Sequence, residues 1–206
     1  MRSILLRLSG TLTAVLGLWM LIWLPVAQGE SSTATPGEHA LGDPNAPVTI
    51  VEYASLTCPH CAQFHTDVLP ELKEKYIVPG KVRLVYRDFP LDQRALEAAM
   101  LAECVGPDRY FGFLDVLFQT QSNWAQAEGL AELKGLGRLA GMSEEQMQQC
   151  LENQQLGDRI LQTRLDAQDK YGVSSTPSFV IDGELHAGSR SVEDFSSLID
   201  PLLEGS

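Results

Sequence analysis

Two blocks of mixed strand and helix pattern, separated by residues 92–171 in which only helical periodicity is found, set the tightest limit on how this chain can fold. The first block opens with Pro47-Val48-Thr49-Ile50-Val51-Glu52-Tyr53, a β-branched run that reads as a buried strand. A helix is predicted from about Pro59 to Tyr76, with Phe64, Val68, Leu72 and Tyr76 forming one apolar stripe and Pro70 expected to kink it. Lys81 to Asp88 supplies a second strand, so strand, helix and strand make a parallel crossover. The second block has a strand at Ser178 to Ile181, an Asp182-Gly183 turn, a return strand at Glu184 to Ala187, and a final helix capped by Ser191 with Asp194 three residues on. Between them the pattern is helical from about Leu91: Leu96, Met100, Leu101 and Cys104 share one face of a first helix, and others are expected over about Asp108 to Thr120, Glu128 to Leu139, Ser143 to Asn153 and Gly157 to Tyr171. Ser143 and Gln146 stand at capping-box spacing. The class is α/β, with a helical subdomain inserted into an otherwise continuous sheet pattern.

Residues 1–41 bear on location. Residues 1–29 carry Arg2 and Arg7 as their charges, then a largely apolar run to Val26, then Ala27-Gln28-Gly29 with small residues three apart. This is the pattern of a secretory signal peptide, and the apolar stretch is also close to the length of a membrane anchor. Residues 30–41 read as a linker, the stretch from Glu30 to Glu38 being rich in Ser, Thr, Pro and Gly. The chain has 15 basic and 27 acidic residues; without the two arginines of residues 1–29 the balance is 13 − 27 = −14. Such acidity argues against nucleic acid, whose phosphates need clustered Lys and Arg.

Cys58-Pro59-His60-Cys61 lies where the first strand meets the first helix. A thiolate is the reactive form of cysteine, and the unpaired N–H groups at a helix start favour it. Pro59 fits the first helical position, where no N–H is needed. His60 is expected to add a donor, or a positive charge, beside the Cys58 sulfur. Cys61, a turn inside the helix, is the natural resolving thiol. Zinc held by Cys58, Cys61 and His65 is a weaker reading because no fourth ligand has convincing spacing. Haem attachment would need His where Ala62 stands. A purely structural disulfide in so tight a loop would be readily reduced.

Four other features remain. Thr176-Pro177 precedes a strand, where an ordinary trans proline is tolerated. Glu52 is an acid in an apolar strand, and an outward-facing and a buried side chain are both open for it, although charged groups are rarely fully buried. Cys104 and Cys150, 46 positions apart on apolar helix faces, are either buried free thiols or, better, a structural disulfide pinning two helices. His39 and His186 have no evident partners and read as surface residues.

From about Gly42 to Leu203 the chain resembles the DsbA family of thiol:disulfide oxidoreductases, which have a thioredoxin-like fold with a helical insertion. The matching residues are Thr49-Ile50-Val51-Glu52-Tyr53, Cys58-Pro59-His60-Cys61, Phe64-His65, Pro90-Leu91-Asp92 and Thr176-Pro177-Ser178-Phe179-Val180-Ile181-Asp182-Gly183. The resemblance implies a thioredoxin-like domain of residues 42–91 and 172–206 and an insertion of residues 92–171. It implies a cis Pro177 packed on the active-site cysteines, with Thr176 offering its backbone to an extended substrate. It assigns Glu52 a buried role in proton exchange with Cys61. The expected activity is introduction of disulfides into exported, periplasmic proteins, with no bound cofactor and no metal. Unfolded client proteins are then the substrates, and a membrane quinone-linked oxidase of the DsbB type is the reoxidant. Thr176, where the best-known oxidases have valine, leaves an isomerase or reductase as the rival. A peptide-binding module with structural cysteines is the rival of another class.

Overall fold

A computed structural model of the chain describes residues 38–205. The expected signal segment, residues 1–29, and most of the linker lie outside the described residues. Five strands form one sheet in the order β1-β3-β2-β4-β5: β1 (His39–Leu41), β2 (Val48–Ala54), β3 (Val82–Asp88), β4 (Ser178–Ile181) and β5 (Glu184–Ala187). β2 and β3 run parallel and the other pairs antiparallel. The expected linker 30–41 therefore stops short. His39–Leu41 adds an edge strand to β3, too brief to show any periodicity in sequence.

The crossover from β2 to β3 is helical throughout but not one regular helix. α1 (Pro59–Gln63) and α2 (Leu69–Leu72) are joined by a π-helical turn at Phe64–Val68, and a second π-turn at Lys73–Ile77 follows. Pro70 stands in the first turn of α2, where its missing N–H costs nothing. Where a kink was expected at Pro70, the turn just before it is widened, closed by Leu69 N–H to Phe64 O.

Six helices lie between β3 and β4: α3 (Gln93–Cys104), α4 (Pro107–Gln119), α5 (Gln121–Trp124), α6 (Leu130–Leu139), α7 (Glu144–Leu151) and α8 (Gln154–Tyr171). α8 begins three residues earlier than its periodicity suggests, because the Asn153 side chain accepts from Leu156 N–H and caps it there. α9 (Val192–Glu204) closes the chain. The Ser143/Gln146 and Ser191/Asp194 capping boxes are both formed. Asp182 and Gly183 take φ of 48° and 80°, the positive pair that a two-residue hairpin demands.

The sheet is covered on both faces. One face packs Ile50, Leu84, Phe179 and Ile181 against the crossover helices and α9. Within it Phe64, Phe179 and Phe195 form a closed trio, with centroids 4.8, 4.9 and 5.6 Å apart. The other face sets Tyr53 and Val180 against Ala167 and Val173 at the end of α8. A third cluster runs from Ala54, Cys58, Cys61 and Tyr86 into α3, α4, α6 and α7. The cysteine pair thus sits at the seam between sheet and insertion. His39, read as a surface residue, is instead drawn into this seam: Nε2 lies 2.9 Å from Glu103 Oε1, and the ring stacks on Tyr110 at 3.3 Å. His186 lies half-buried on β5, opposite Phe179.

Candidate active site

Cys58 ends the loop that leaves β2. Its backbone is extended, with φ −81° and ψ 119°, and it caps α1 just ahead of Pro59. The turn before it is closed by Cys58 N–H to Ser55 O at 3.0 Å. Thr57 Oγ1 donates to Asp92 Oδ2 at 2.7 Å, while Asp92 Oδ1 accepts from Ala95 N–H and caps α3. One aspartate thus ties the cysteine loop to the first helix of the insertion. Gln121 at the start of α5 completes the clasp. Its side-chain amide donates to Leu56 O at 2.8 Å and Cys58 O at 3.0 Å.

The two cysteines are free thiols and differ sharply. Cys61 has no exposed surface. Burial first, then the neighbouring Cys58 sulfur and the Glu52 charge, push its thiol far above the ordinary cysteine range. Cys58 goes the other way, lowered from 9.0 to about 5. The Cys61 thiol, donating to the Cys58 sulfur, is the largest cause. Burial opposes it, and the Thr176 side chain and the backbone N–H groups of Cys61 and His60 add to it. In the thiol form Cys58 Sγ–H donates to Thr176 O at 3.3 Å. Thr176 Oγ1 is buried without a partner, so its hydroxyl can turn to the sulfur when the thiolate forms. His60 acts through its backbone N–H. Its imidazole is exposed, lining a cleft of about 320 Å³ with Gln63, Phe64, Val68 and Arg190.

Thr176-Pro177 is a cis bond, and Pro177 is buried. Pro177 O accepts from Gly188 N–H at 2.9 Å, so the segment before β4 is held by the turn after β5. Glu52 points inward, not outward, and is fully buried. Both its carboxylate oxygens face His65 Nε2, at 3.0 and 3.1 Å. Cys104 and Cys150 are joined, Cα to Cα 6.3 Å, linking the ends of α3 and α7. Among the described residues no group of three or more His, Cys, Asp or Glu is placed to hold a metal. His65, weighed above as a zinc ligand, is turned to Glu52.

Comparison with known proteins follows this geometry. A family model described as Thioredoxin matches residues 34–201. The crystal structure of Wolbachia pipientis alpha-DsbA1 superposes with a TM-score of 0.77 at 34% identity, over 84% of this chain and 94% of that one. The chain belongs to the thioredoxin family, in its DsbA branch. A solved protein-disulfide isomerase from Novosphingobium aromaticivorans is 29% identical to this DsbA-type protein, with a TM-score of 0.71 over 81% of this chain and 97% of that one. A curated Rickettsia felis relative, provisionally named a protein-disulfide oxidoreductase, is 34% identical over 169 residues, 81% of this chain. The DsbA-type chain spans about 60% of that relative's length.

Glu52 was expected in this DsbA-type site, but Gln121 and the pairing of His65 with Glu52 were not read from sequence. Gln121 belongs to a four-residue helix with no periodicity to mark it. His65 did carry a signal. It stands four residues after Cys61, on the same helical face, and so had to enter the same buried layer as the acid in β2.

Proposed function

We propose that this protein is a thiol:disulfide oxidoreductase that exchanges disulfides through Cys58 and Cys61 and works in the direction of oxidation. The observation that carries the reading is the asymmetry of the pair, with the Cys58 thiol brought down to about 5 beside a Cys61 that is buried and held protonated. A client thiolate attacks Cys58, the less deeply buried of the two sulfurs. The bond to Cys61 breaks, and a mixed disulfide forms. A second client thiolate then displaces Cys58, which leaves readily because it is a stable anion. Stabilising that anion stabilises the reduced protein and so makes the disulfide more oxidising. Two pH units between 5 and neutrality correspond to about 2.7 kcal/mol, or about 60 mV for a two-electron couple.

The clients in this reading are unfolded exported proteins, met in the periplasm, with residues 1–29 as the export signal or as an inner-membrane anchor. The support is the sequence of those residues and the family likeness. The redox-active disulfide serves in place of a bound cofactor. The reoxidant is a membrane quinone-linked oxidase of the DsbB type, a role supported by family likeness alone.

The test is redox equilibrium of the Cys58–Cys61 pair with glutathione. A potential well above the roughly −270 mV of thioredoxin is expected, and one at or below it overturns the oxidase reading. Oxidative refolding of a reduced model substrate is expected to lose its acceleration in Cys58→Ser. An equally fast variant would favour the non-catalytic peptide-binding reading.

A second reading, isomerase, is favoured by Thr176 before Pro177 and by the name of the Novosphingobium neighbour. Rescue of a scrambled substrate by the reduced protein, faster than its oxidation of a reduced substrate, would select it.

A further inference from the structure

The acid buried behind Cys61 has a partner. Glu52 lies on β2, in register with Tyr86 of β3 on one side and Phe179 of β4 on the other. His65 reaches it from the π-turn after α1, with Nε2 centred on both oxygens. The ring is fixed by stacking on Phe118 of α4, at 4.1 Å and 23°, and by edge contacts with Phe64 and Tyr86. His65 Nδ1 is buried with no partner. The titratable groups around the pair are Cys61 from α1, Tyr86 from β3 and Tyr110 from α4, and burial pushes both tyrosine hydroxyls well up. Among the described residues the side chain that reaches the carboxylate is the His65 imidazole.

The choice of tautomer follows. With the proton on Nε2, the carboxylate receives a donor and Nδ1 is left with a lone pair alone. With the proton on Nδ1, a buried N–H goes unmet and two acceptors face each other. An imidazolium would bury an unmet charged donor as well.

We propose that His65, as the neutral Nε2–H tautomer, is the positioning residue that holds Glu52 ionised and so able to take the proton from Cys61 when the disulfide re-forms. The proposal rests on the exchange reading of Cys58 and Cys61 and extends it. The step balances in both directions. In reoxidation Cys61–SH passes its proton to the Glu52 carboxylate, and the Cys61 sulfur attacks the mixed disulfide at Cys58, expelling the partner as thiolate. In reduction the S–S electron pair passes to Cys61, which takes the proton back from the Glu52 carboxyl. Glu52 is left as a carboxylate facing His65 Nε2–H. In the structure both cysteines are free and both Glu52 oxygens face His65 Nε2.

The test uses the full chain and oxidised glutathione as the disulfide. The reduced protein is mixed with it, and resolution of the Cys58–glutathione mixed disulfide is followed across pH. His65→Phe keeps the stack on Phe118 and removes the donor. Its inflection is expected to move up by about one pH unit or more, with resolution slowed about tenfold at neutral pH. His65→Gln keeps an N–H donor and is expected to return the profile toward the parent. Glu52→Gln is expected to abolish the inflection. A His65→Phe profile that superimposes on the parent, or a His65→Gln profile that matches His65→Phe, overturns the proposal. Ring-nitrogen NMR of His65 in the unmutated reduced protein decides the matter even if His65→Phe does not fold. A bare Nδ1 is expected, and the opposite tautomer or an imidazolium overturns it. Slow or absent reaction of the unmutated protein with glutathione would instead sink the exchange reading itself.

Discussion

At the scale of single residues, the site is a contest between burial and donors, and Cys58 and Asp88 show the two outcomes. Cys58 is buried, yet donors win and its thiol falls to about 5. The largest of them is the Cys61 thiol, so Cys61→Ala is expected to raise Cys58 toward ordinary cysteine behaviour. Thiolate ultraviolet absorbance, titrated against pH, reads this directly. The same depression fixes a sign. A folded value near 5 against 9.0 unfolded means that ionisation stabilises the reduced fold fully above pH 9. That contribution shrinks as pH falls and is gone below about 5. At pH 7 it amounts to about 2–3 kcal/mol. Thermal unfolding of reduced and oxidised protein is therefore expected to converge on acidification, relative to the difference at high pH. Asp88 has no comparable donor. Burial, then the Glu103 charge, raise it to about 7. Its contribution is present below about 3.8 and lost as pH rises through 7. Asp88→Asn is accordingly expected to match the parent near pH 4 and to exceed it near pH 8 by on the order of 2–4 kcal/mol in chemical unfolding.

At the scale of elements, α5 is four residues long and binds the cysteine loop through Gln121. Gln121→Leu removes both amide donors and strands the Leu56 carbonyl in a buried site, while Cys58 O keeps its bonds from Cys61 and Ala62 N–H. A loss of about 2–3 kcal/mol is expected in denaturant unfolding, together with slower exchange at Cys58, because the loop loses its anchor. This element also marks where reading from sequence ran out. Strands β2 to β5 and the long helices were legible from a β-branched run, from the Asp182-Gly183 turn, from a period near 3.6, or from a cap such as Ser143/Gln146. The cysteine pair was legible because its spacing and its place between strand and helix carry the chemistry. β1 and α5 were not legible, since three or four residues make no period. The π-turns around Pro70 were seen only as a kink, because a widened turn leaves the apolar stripe nearly unchanged. Glu52 could be assigned to either face until its partner was known. An acid in a strand points inward only when something waits there to receive it, and His65 is contributed by a different element.

At the scale of the whole molecule, the Cys104–Cys150 bond closes a 46-residue loop holding α4 to α7. On the chain-entropy model it is worth about 4 kcal/mol. Replacing both residues by alanine is expected to lower the midpoint of thermal unfolding while leaving the Cys58 titration near 5, since neither sulfur is among the groups that set it. A large move in that titration would show that the bond bears on the redox pair rather than on stability alone.

Asp92 and Gln121, one on either side of α4, reach out of the insertion to grip the cysteine loop. Hybrids that trade residues 92–171 between relatives would then be mosaics in which a borrowed half sets the reactivity of the resident thiols. Such a graft succeeds chemically when it brings its own aspartate and glutamine, and otherwise yields a well-folded protein with a slack, sluggish sulfur.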